Sequence, residues 1–374
     1  MLDDRILFSL ETEINRIYSE VETEFVSAIA RELARGSSAS VSPIAWRTEK
    51  LRQMGRLEGK LTTLLQKRSR AITPEIEKAV FSAMLSAGEA DDSILKQIAS
   101  IKAQVDAGTF IPTSKSSVFE QLAASAIANA KTGMNLTNTG ALQAVSQMWT
   151  GAVNDAYVRT LTGSMSLDQA VKRSIRTIGK QGAYVNYISA NGKQTRNTLE
   201  VAIRRDVVTS VNQAAAEVTM GRCDENELDL VEVTSHAGSR PEHAQWQGKV
   251  YSLHGKTAGY QLLAIATGYG EVDGLCGVNC RHSFYPYYPG LSKQNENDTT
   301  KRENENIYQN TQKQRALESN IRKAKREARV CDAAGDSAGA EAAAQRVRGY
   351  QEKMRQFIRE TGLTRQYPRE QIYA

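Results

Sequence analysis

Apolar residues recur every three or four positions over long stretches of the first half of the chain, and this spacing restricts the fold more than any other feature. On an α-helix such residues share one face, so residues 3–35 are predicted to form one long amphipathic helix. A second helix is predicted to begin near Ser42 and Pro43, a cap followed by proline in the first turn. Both stripes are narrow, which is typical of helices that pack nearly antiparallel. The stripes are Leu7, Leu10, Ile14, Ile17, Val21 and Phe25, and then Leu51, Met54, Leu57, Leu61 and Leu64.

Helical patterns continue to about residue 220, with short interruptions. Thr73 and Pro74 predict the start of a third helix, and the Gly, Asn and Thr residues at 133–138 predict a break. Residues 184–192 are predicted to form a short strand followed by a turn. After a polar linker, two narrow apolar stripes separated at 332–339 predict a helical hairpin at the C-terminal end.

Changes in residue composition along the sequence divide the chain into three predicted segments. Residues 1–220 are helical, 221–290 form a compact module rich in cysteine, histidine and aromatic residues, and 291–374 form a polar linker and a basic helical hairpin. All four histidines and three of the four cysteines lie in the middle segment. We therefore predict a mainly α-helical N-terminal region, a small α/β Cys/His module and a C-terminal helical hairpin.

The composition is that of an ordinary globular protein and excludes several classes. The chain has 374 residues, of which 40% are hydrophobic and 24% are charged. It lacks an apolar stretch of about eighteen residues, so no membrane span is expected. The acidic start is unlike a secretory signal, so we expect the protein to be made and kept in a cytoplasm. In a reducing compartment Cys276 and Cys280 are thiols or metal ligands rather than a disulfide.

The middle segment contains residues that could bind zinc. Tetrahedral zinc sites take four Cys or His ligands, usually from two closely spaced pairs. Cys276 and Cys280 form one such pair, His282 follows two residues later, and His243 supplies the fourth ligand, with His236 as its alternate. The alternative is structural: the cysteines act as small buried apolar residues, and the histidines donate hydrogen bonds to the backbone.

A second interpretation of the same residues is catalytic. Basic neighbours such as Arg281 and His282 would lower the pKa of the Cys280 thiol if they faced the sulfur, and His243 could then act as the base. However, residues adjacent in sequence often point apart, and no acid is placed to orient the imidazole. This pattern favours the structural interpretation over a cysteine-dependent enzyme.

Most of the net charge of +6 lies in the C-terminal segment, where residues 291–374 hold 17 Lys and Arg against 12 Asp and Glu. Five cations within eight residues of one predicted helix are candidates for contact with DNA phosphates. The alternative is a solvated helix face on which the cations pair with glutamates. The five are Arg322, Lys323, Lys325, Arg326 and Arg329.

Three sequences in the region 195–292 resemble the phage minor capsid protein 2 family of tailed bacteriophages and prophages. They are IRRDVVTSVNQAAAEV (203–218), LVEVTSHAGSRPEHAQWQGKVYSL (230–253) and GLCGVNCRHSFYPYYPGLS (274–292). The helical N-terminal part is consistent with the family, whereas the chain after residue 300 shows no resemblance. The polar motif positions are His236, Arg240, His243, Trp246, Cys276, Cys280, Arg281 and His282, and the resemblance implies no catalytic role for them.

The resemblance implies a virion protein present in few copies near the portal, assembled in the bacterial host cytoplasm. Its role would be similar to that of the Mu-type head morphogenesis proteins, which are associated with portal binding and with DNA packaging or ejection. We expect the N-terminal stripes to dock against portal subunits, with major capsid or scaffold proteins and DNA as further partners. Two alternatives remain: a metal- or cysteine-dependent hydrolase delivered with the genome, and a DNA-binding ejection protein.

Overall fold

The computed structural model describes residues 4–38, 41–102, 110–188, 194–294 and 299–373. Most of these residues are helical, and the strands form two small sheets, which confirms the predicted fold class. The helices are α1 (Asp4–Ala34), α2 (Pro43–Lys102), α3 (Ser117–Leu161), α4 (Leu167–Gln181), α5 (Leu199–Glu225), α6 (Pro241–Ala244), α7 (Leu263–Thr267), α8 (Lys301–Ala333) and α9 (Ser337–Thr361). The strands are β1 (Tyr184–Ile188), β2 (Gln194–Thr198), β3 (Leu230–Val233), β4 (Val250–Ser252) and β5 (Phe284–Pro286).

Two predicted helix boundaries are wrong. Helix α2 continues through Pro74, although proline removes one backbone hydrogen bond of the helix. Ile72 and Ile76, on either side of the proline, are both fully buried. The free energy gained by burying these two side chains offsets the loss of one backbone hydrogen bond. Helix α3 likewise continues through 133–138, where Asn138 donates a side-chain hydrogen bond to Ser69 Oγ at 2.7 Å. A long helix therefore tolerates proline or turn-forming residues where they or adjacent side chains make buried contacts or hydrogen bonds with other parts of the protein.

The chain divides into two compact units, and several helices contribute residues to both. Unit 1 consists of Met1–Glu11, Thr73–Met134 and Arg205–Gln312, and unit 2 consists of Thr12–Ile72, Asn135–Arg204 and Lys313–Ala374. The predicted module at 221–290 lies within unit 1, whereas the predicted segments 1–220 and 291–374 contribute to both units. The division into three functional segments stays a prediction.

Unit 1 is organised around a small antiparallel sheet with strand order β4-β3-β5. Strand β3 is central, with Val231 opposite Tyr251 of β4 and Pro286 of β5. All four β3 residues are buried. The short, β-rich run at 228–234 predicts a buried strand here, and the structure confirms it. The sheet and helix α5 share one apolar core with the cysteines: Ala216, Val231, Val233, Trp246, Tyr251, Leu275, Cys276, Cys280 and Phe284.

Unit 2 is a helical assembly in which the apolar stripe of α1 is packed inside the core. Ile14, Ile17, Val21 and Phe25 are all buried. The expectation that these residues dock against a partner is therefore wrong for this conformation, because their surface is already covered by the chain itself. The side chains of Leu7 and Leu10 lie outside the described residues.

The C-terminal helical hairpin is present as predicted. Residues 334–336 separate α8 from α9, and the carboxylate of Asp336 caps α9 by accepting a hydrogen bond from the backbone N–H of Gly339. Strands β1 and β2 form an antiparallel hairpin, with Tyr184 opposite Thr198; the predicted turn between them lies outside the described residues. None of the described helices carries an apolar stretch long enough to cross a bilayer.

Candidate metal centre

A tight loop before β5 places Cys280 and His282 in the core of unit 1. Cys276 and Asn279 adopt left-handed backbone conformations, with φ of 59° and 56°. A Cβ atom on Gly274 would overlap the carbonyl oxygen of Gly268, so only glycine allows this close approach of the two loop segments. The glycines at these positions therefore serve chain geometry, and the loop turns sharply enough to bury both sulfurs.

Helix α5 anchors the same loop. The side-chain amide of Asn212 donates hydrogen bonds to the carbonyl oxygens of Cys280, at 3.2 Å, and His282, at 3.1 Å. Asn212 is itself buried, so both bonds form away from competing water. The backbone on both sides of Arg281 is thereby fixed against the helix.

Among the described residues, His243, Cys280 and His282 form a group whose potential ligand atoms all lie within 4.8 Å of one another. The Cys280 Sγ atom is 3.7 Å from His243 Nδ1 and 3.6 Å from His282 Nδ1. His243, Cys280 and His282 are 2%, 4% and 1% exposed, respectively. His243 lies on the short helix α6, which Pro241 opens at its first turn. The structure thus brings together three of the four predicted zinc ligands.

The hydrogen bonds of the two imidazoles determine which nitrogen carries the proton. His243 Nε2 lies 2.9 Å from the carbonyl oxygen of Asp273, and His282 Nε2 lies 2.9 Å from Gln247 Oε1. That oxygen also accepts a hydrogen bond from the backbone N–H of His236, which identifies it as the amide oxygen. Both partners are acceptors, so both Nε2 atoms donate. The two Nδ1 lone pairs therefore point toward the sulfur of Cys280.

Burial keeps all three groups in their neutral forms. It lowers the pKa of His282 to about 2 and lowers the pKa of His243. Burial also raises the pKa of the Cys280 thiol. A buried thiol with a raised pKa is a poor nucleophile at neutral pH, so the structure disfavours the interpretation of Cys280 as a catalytic cysteine.

Cys276 and His236 surround the group without entering it. The Cys276 thiol lies 3.5 Å from the carbonyl oxygen of His282, and burial raises its pKa well above the usual value. The ring of His236 stacks on that of His282 with 4.3 Å between centroids. Both residues therefore contribute to the packing around the three-residue group.

The remaining motif residues pack around the group or lie away from it. The ring of Trp246 lies 4.6 Å from that of His243 and 4.8 Å from that of His282. Arg240 donates to the carbonyl oxygen of Val278 at 2.6 Å, which ties α6 to the loop. Arg281 points elsewhere and pairs with Glu11 at 3.3 Å.

Sequence reasoning missed Gln247 and Asn212, the residues that orient the group. Gln247 lies four positions after His243, and that spacing was an available signal because residues i and i+4 of a helical turn are neighbours. Asn212 is a polar residue beside Val211 on the buried side of α5. Its contacts with the loop are about 70 residues away in sequence and carry no local signal.

The predicted DNA-contact residues on α8 are mostly engaged within unit 2. Arg326 is buried and pairs with Glu22 at 3.1 Å, Arg322 pairs with Glu200 at 3.1 Å, and Lys325 donates to Gln371 Oε1 at 2.7 Å. Lys323 and Arg329 are exposed. A buried guanidinium group cannot reach a phosphate in this conformation, which removes Arg326, whereas Arg322 and Lys325 are half-buried and engaged with other residues of unit 2. Contact of the remaining cations with DNA stays a prediction.

Comparison with known proteins places the chain in a family. The profile of the phage minor capsid protein 2 family matches residues 2–359 and so includes most of the C-terminal segment, in which the sequence alone showed no resemblance. A structural protein of Lactococcus phage LL-H is 27% identical over 338 residues, covering 88% of this chain and 89% of that protein. A structural protein of Lactococcus phage mv4 is 33% identical over 106 residues, covering 28% of this chain and 86% of that protein. No solved structure matches the chain significantly. Because the family match spans nearly the whole sequence, the chain belongs to the phage minor capsid protein 2 family.

Proposed function

We propose that this protein is a minor component of the virion that acts at or near the portal during head assembly, as a structural protein without substrate turnover. The observation that carries the proposal is the family match over residues 2–359. It is supported by the two phage relatives, which are structural proteins. The burial of Cys280 and the raised pKa of its thiol favour this role over that of a cysteine-dependent hydrolase.

Exposed apolar side chains at one end of unit 2 offer a docking surface in place of the buried stripe of α1. Arg47 near the start of α2 donates to Asn154 Oδ1 on α3 at 3.0 Å, so the first turn of α2 lies beside the last turns of α3. Ile44, Val158 and Leu161 lie in these turns and are 61%, 54% and 56% exposed. We call these three residues the end patch. Large apolar side chains clustered at a surface are typical of protein interaction sites.

The end patch and portal binding can be tested together. Purified chain is mixed with portal rings of the same phage and analysed by size-exclusion chromatography. We expect the wild-type chain to co-elute with the rings, and the triple variant Ile44→Asp, Val158→Asp, Leu161→Asp to bind at least about tenfold more weakly, because three charges would have to be buried at the contact.

Leu136 provides the matched control, since it is also on α3, also in unit 2 and 70% exposed. Leu136→Asp should bind portal rings as the wild-type chain does. Failure of the wild-type chain to co-elute would refute portal binding. Equal binding by the triple variant and the wild-type chain would remove the end patch from the contact.

Further partners are expected in the same assembly. Major capsid or scaffold proteins would contact a head component of this kind. DNA is the other candidate, through the exposed Lys323 and Arg329 of α8. Two cations make few phosphate contacts, so this binding would be weak and would decrease as salt is added.

A further inference from the structure

We propose that His243, Cys280 and His282 bind one zinc ion, which joins helix α6 to the loop before β5 and so holds the unit 1 module in shape. The ligand atoms would be the two Nδ1 nitrogens and the Cys280 sulfur. The inference is independent of portal binding, because it rests on the interior of unit 1 rather than on any surface.

The distances fit zinc coordination. Tetrahedral zinc with a Zn–S bond of about 2.3 Å and Zn–N bonds of about 2.0–2.1 Å places its sulfur and nitrogen ligands about 3.6 Å apart. The observed separations between Cys280 Sγ and the two Nδ1 atoms are 3.7 Å and 3.6 Å. Both sulfur-to-nitrogen separations therefore have the length found in a zinc site, and all three potential ligand atoms lie within 4.8 Å of one another.

The hydrogen-bonding capacity of the group is incomplete without a cation. Two Nδ1 lone pairs face one sulfur, and a thiol has a single hydrogen to donate. The thiol can therefore donate to the Nδ1 atom of one imidazole only, and the Nδ1 atom of the other faces the sulfur without a hydrogen bond from it. A buried acceptor without a donor is costly, whereas a metal ion satisfies both nitrogens and the sulfur at once.

The surroundings of the two histidines resemble those of metal ligands. Ligating histidines usually donate their other N–H to a carbonyl or carboxylate oxygen, which fixes the ring and the tautomer. Here the carbonyl oxygen of Asp273 and the amide oxygen of Gln247 both accept such bonds at 2.9 Å. The lone pairs are thus oriented toward the site by neighbours that play no part in coordination.

The donor set favours zinc over the divalent ions that prefer oxygen ligands. One thiolate and two imidazoles suit zinc, whereas magnesium and calcium prefer oxygen ligands. Binding replaces the hydrogen of the Cys280 thiol with the metal and releases that proton to solvent, so the site gains one net positive charge. Three protein ligands leave one position of a tetrahedral zinc ion open.

Elemental analysis of the full chain tests the proposal. The chain is purified with a thiol reductant, incubated with zinc chloride, passed over a chelating resin and analysed by mass spectrometry for metals. We expect close to one zinc per chain in the wild type and at least a tenfold lower content in Cys280→Ser. Cys276→Ser is the matched control, because that thiol is equally buried and lies four residues away but outside the group; it should keep its zinc.

A second measurement covers the case in which Cys280→Ser fails to fold. Cobalt(II) added to the metal-free wild-type chain should give the visible bands of a tetrahedral site and a near-ultraviolet thiolate-to-cobalt band. A wild-type chain that keeps less than a tenth of an equivalent of zinc and shows no thiolate band would overturn the proposal. Loss of zinc in Cys276→Ser as well as Cys280→Ser would overturn the three-ligand set.

Discussion

Arg326 of α8 and Glu22 of α1 form a buried ion pair in unit 2, and its removal gives a quantitative prediction. Their side chains are 3% and 1% exposed, and Arg326 Nη1 lies 3.1 Å from Glu22 Oε1. Arg326 Nε also donates to the carbonyl oxygen of Gly179 at 3.1 Å. The substitution Arg326→Met keeps most of the side-chain volume but leaves the Glu22 carboxylate without its nearest cation.

Breaking a buried pair by removing one partner costs about 3–5 kcal/mol of unfolding free energy, because the remaining charge is uncompensated. For a unit of between about 150 and 250 residues, each kcal/mol corresponds to about 2–4 °C in the melting temperature, and unit 2 falls in this range. We therefore expect Arg326→Met to lower the melting temperature of unit 2 by roughly 6–20 °C at pH 8.

The loss should depend on pH through Glu22. The pKa of Glu22 is raised from 4.5 to about 7, chiefly by burial; Glu200 adds to the rise, and Arg326 and Arg322 oppose it. Because the folded carboxyl binds its proton more tightly than the unfolded one, stability falls as pH increases from about 4.5 through 7. Removing Arg326 raises this pKa again, so the ionised carboxylate destabilises the variant most above pH 7. Near pH 5.5 Glu22 is largely protonated in both proteins, so the loss should be smaller there than at pH 8, by at most about 1.4 kcal/mol, because pH 8 lies one unit above the Glu22 pKa of about 7.

Circular dichroism at 222 nm, recorded during heating at pH 5.5 and pH 8, measures this prediction. Arg329→Met is the control, since Arg329 is exposed on the same helix and its substitution should shift the melting temperature by no more than about 2 °C at either pH. An equal loss for Arg326→Met at both pH values would contradict the role assigned to Glu22. A loss below about 2 °C at pH 8 would contradict the buried pair itself.

Two further predictions concern packing and the metal site. A Cβ on Gly179 would lie 2.8 Å from the Cα of Glu327, so Gly179→Ala should force α4 from α8 and cost about 1–3 kcal/mol in urea unfolding. Gly151→Ala should instead stabilise the chain by about 0.5–1 kcal/mol, because its Cβ would meet no described atom within 4 Å; the opposite order of the two variants would contradict the packing. Asn212→Ala removes both hydrogen bonds to the loop carbonyl oxygens. We expect the affinity of the chain for zinc, measured by competition with a chelator, to fall about 10–100-fold. An unchanged zinc affinity would show that these two bonds do not support the metal site.

Much of the architecture was predictable because it follows from local pattern. The apolar spacing predicted α1, the Ser42 and Pro43 pair predicted the start of α2, and the two C-terminal stripes predicted the hairpin of α8 and α9. The buried strand β3 followed from its short, β-rich run. These features depend on neighbours in sequence, so a single sequence contains the information that specifies them.

The errors came from tertiary contacts that local patterns do not report. Pro74 reads as a helix start, but buried isoleucines on both sides keep α2 continuous. An amphipathic stripe does not reveal whether its partner is the same chain or another, and in unit 2 it is the same chain. Arg326 lies in a cationic run typical of a solvated face, yet it pairs with Glu22 about 300 residues earlier.

The sequence predicted the types of residue in the metal site, but it did not predict correctly which four residues lie together. The clustering of cysteines and histidines identified His243, Cys280 and His282, and the structure brings these three together. Cys276 was expected with them because two cysteines separated by three residues make an acceptable pair of zinc ligands. Its left-handed backbone conformation, with φ of 59°, accompanies a sulfur contact with the His282 carbonyl instead. This loop geometry depends on the close approach of Gly274 to Gly268, which the spacing of the two cysteines does not report.

The proposed role locates this chain in the virion, at the portal. The most direct test quantifies the chain by mass spectrometry in purified virions and in heads assembled without portal protein, for a phage that carries this gene. We predict far fewer copies than the major capsid protein in virions, and loss of the chain from heads that lack the portal. Absence from virions, or equal amounts in both kinds of particle, would contradict the claim.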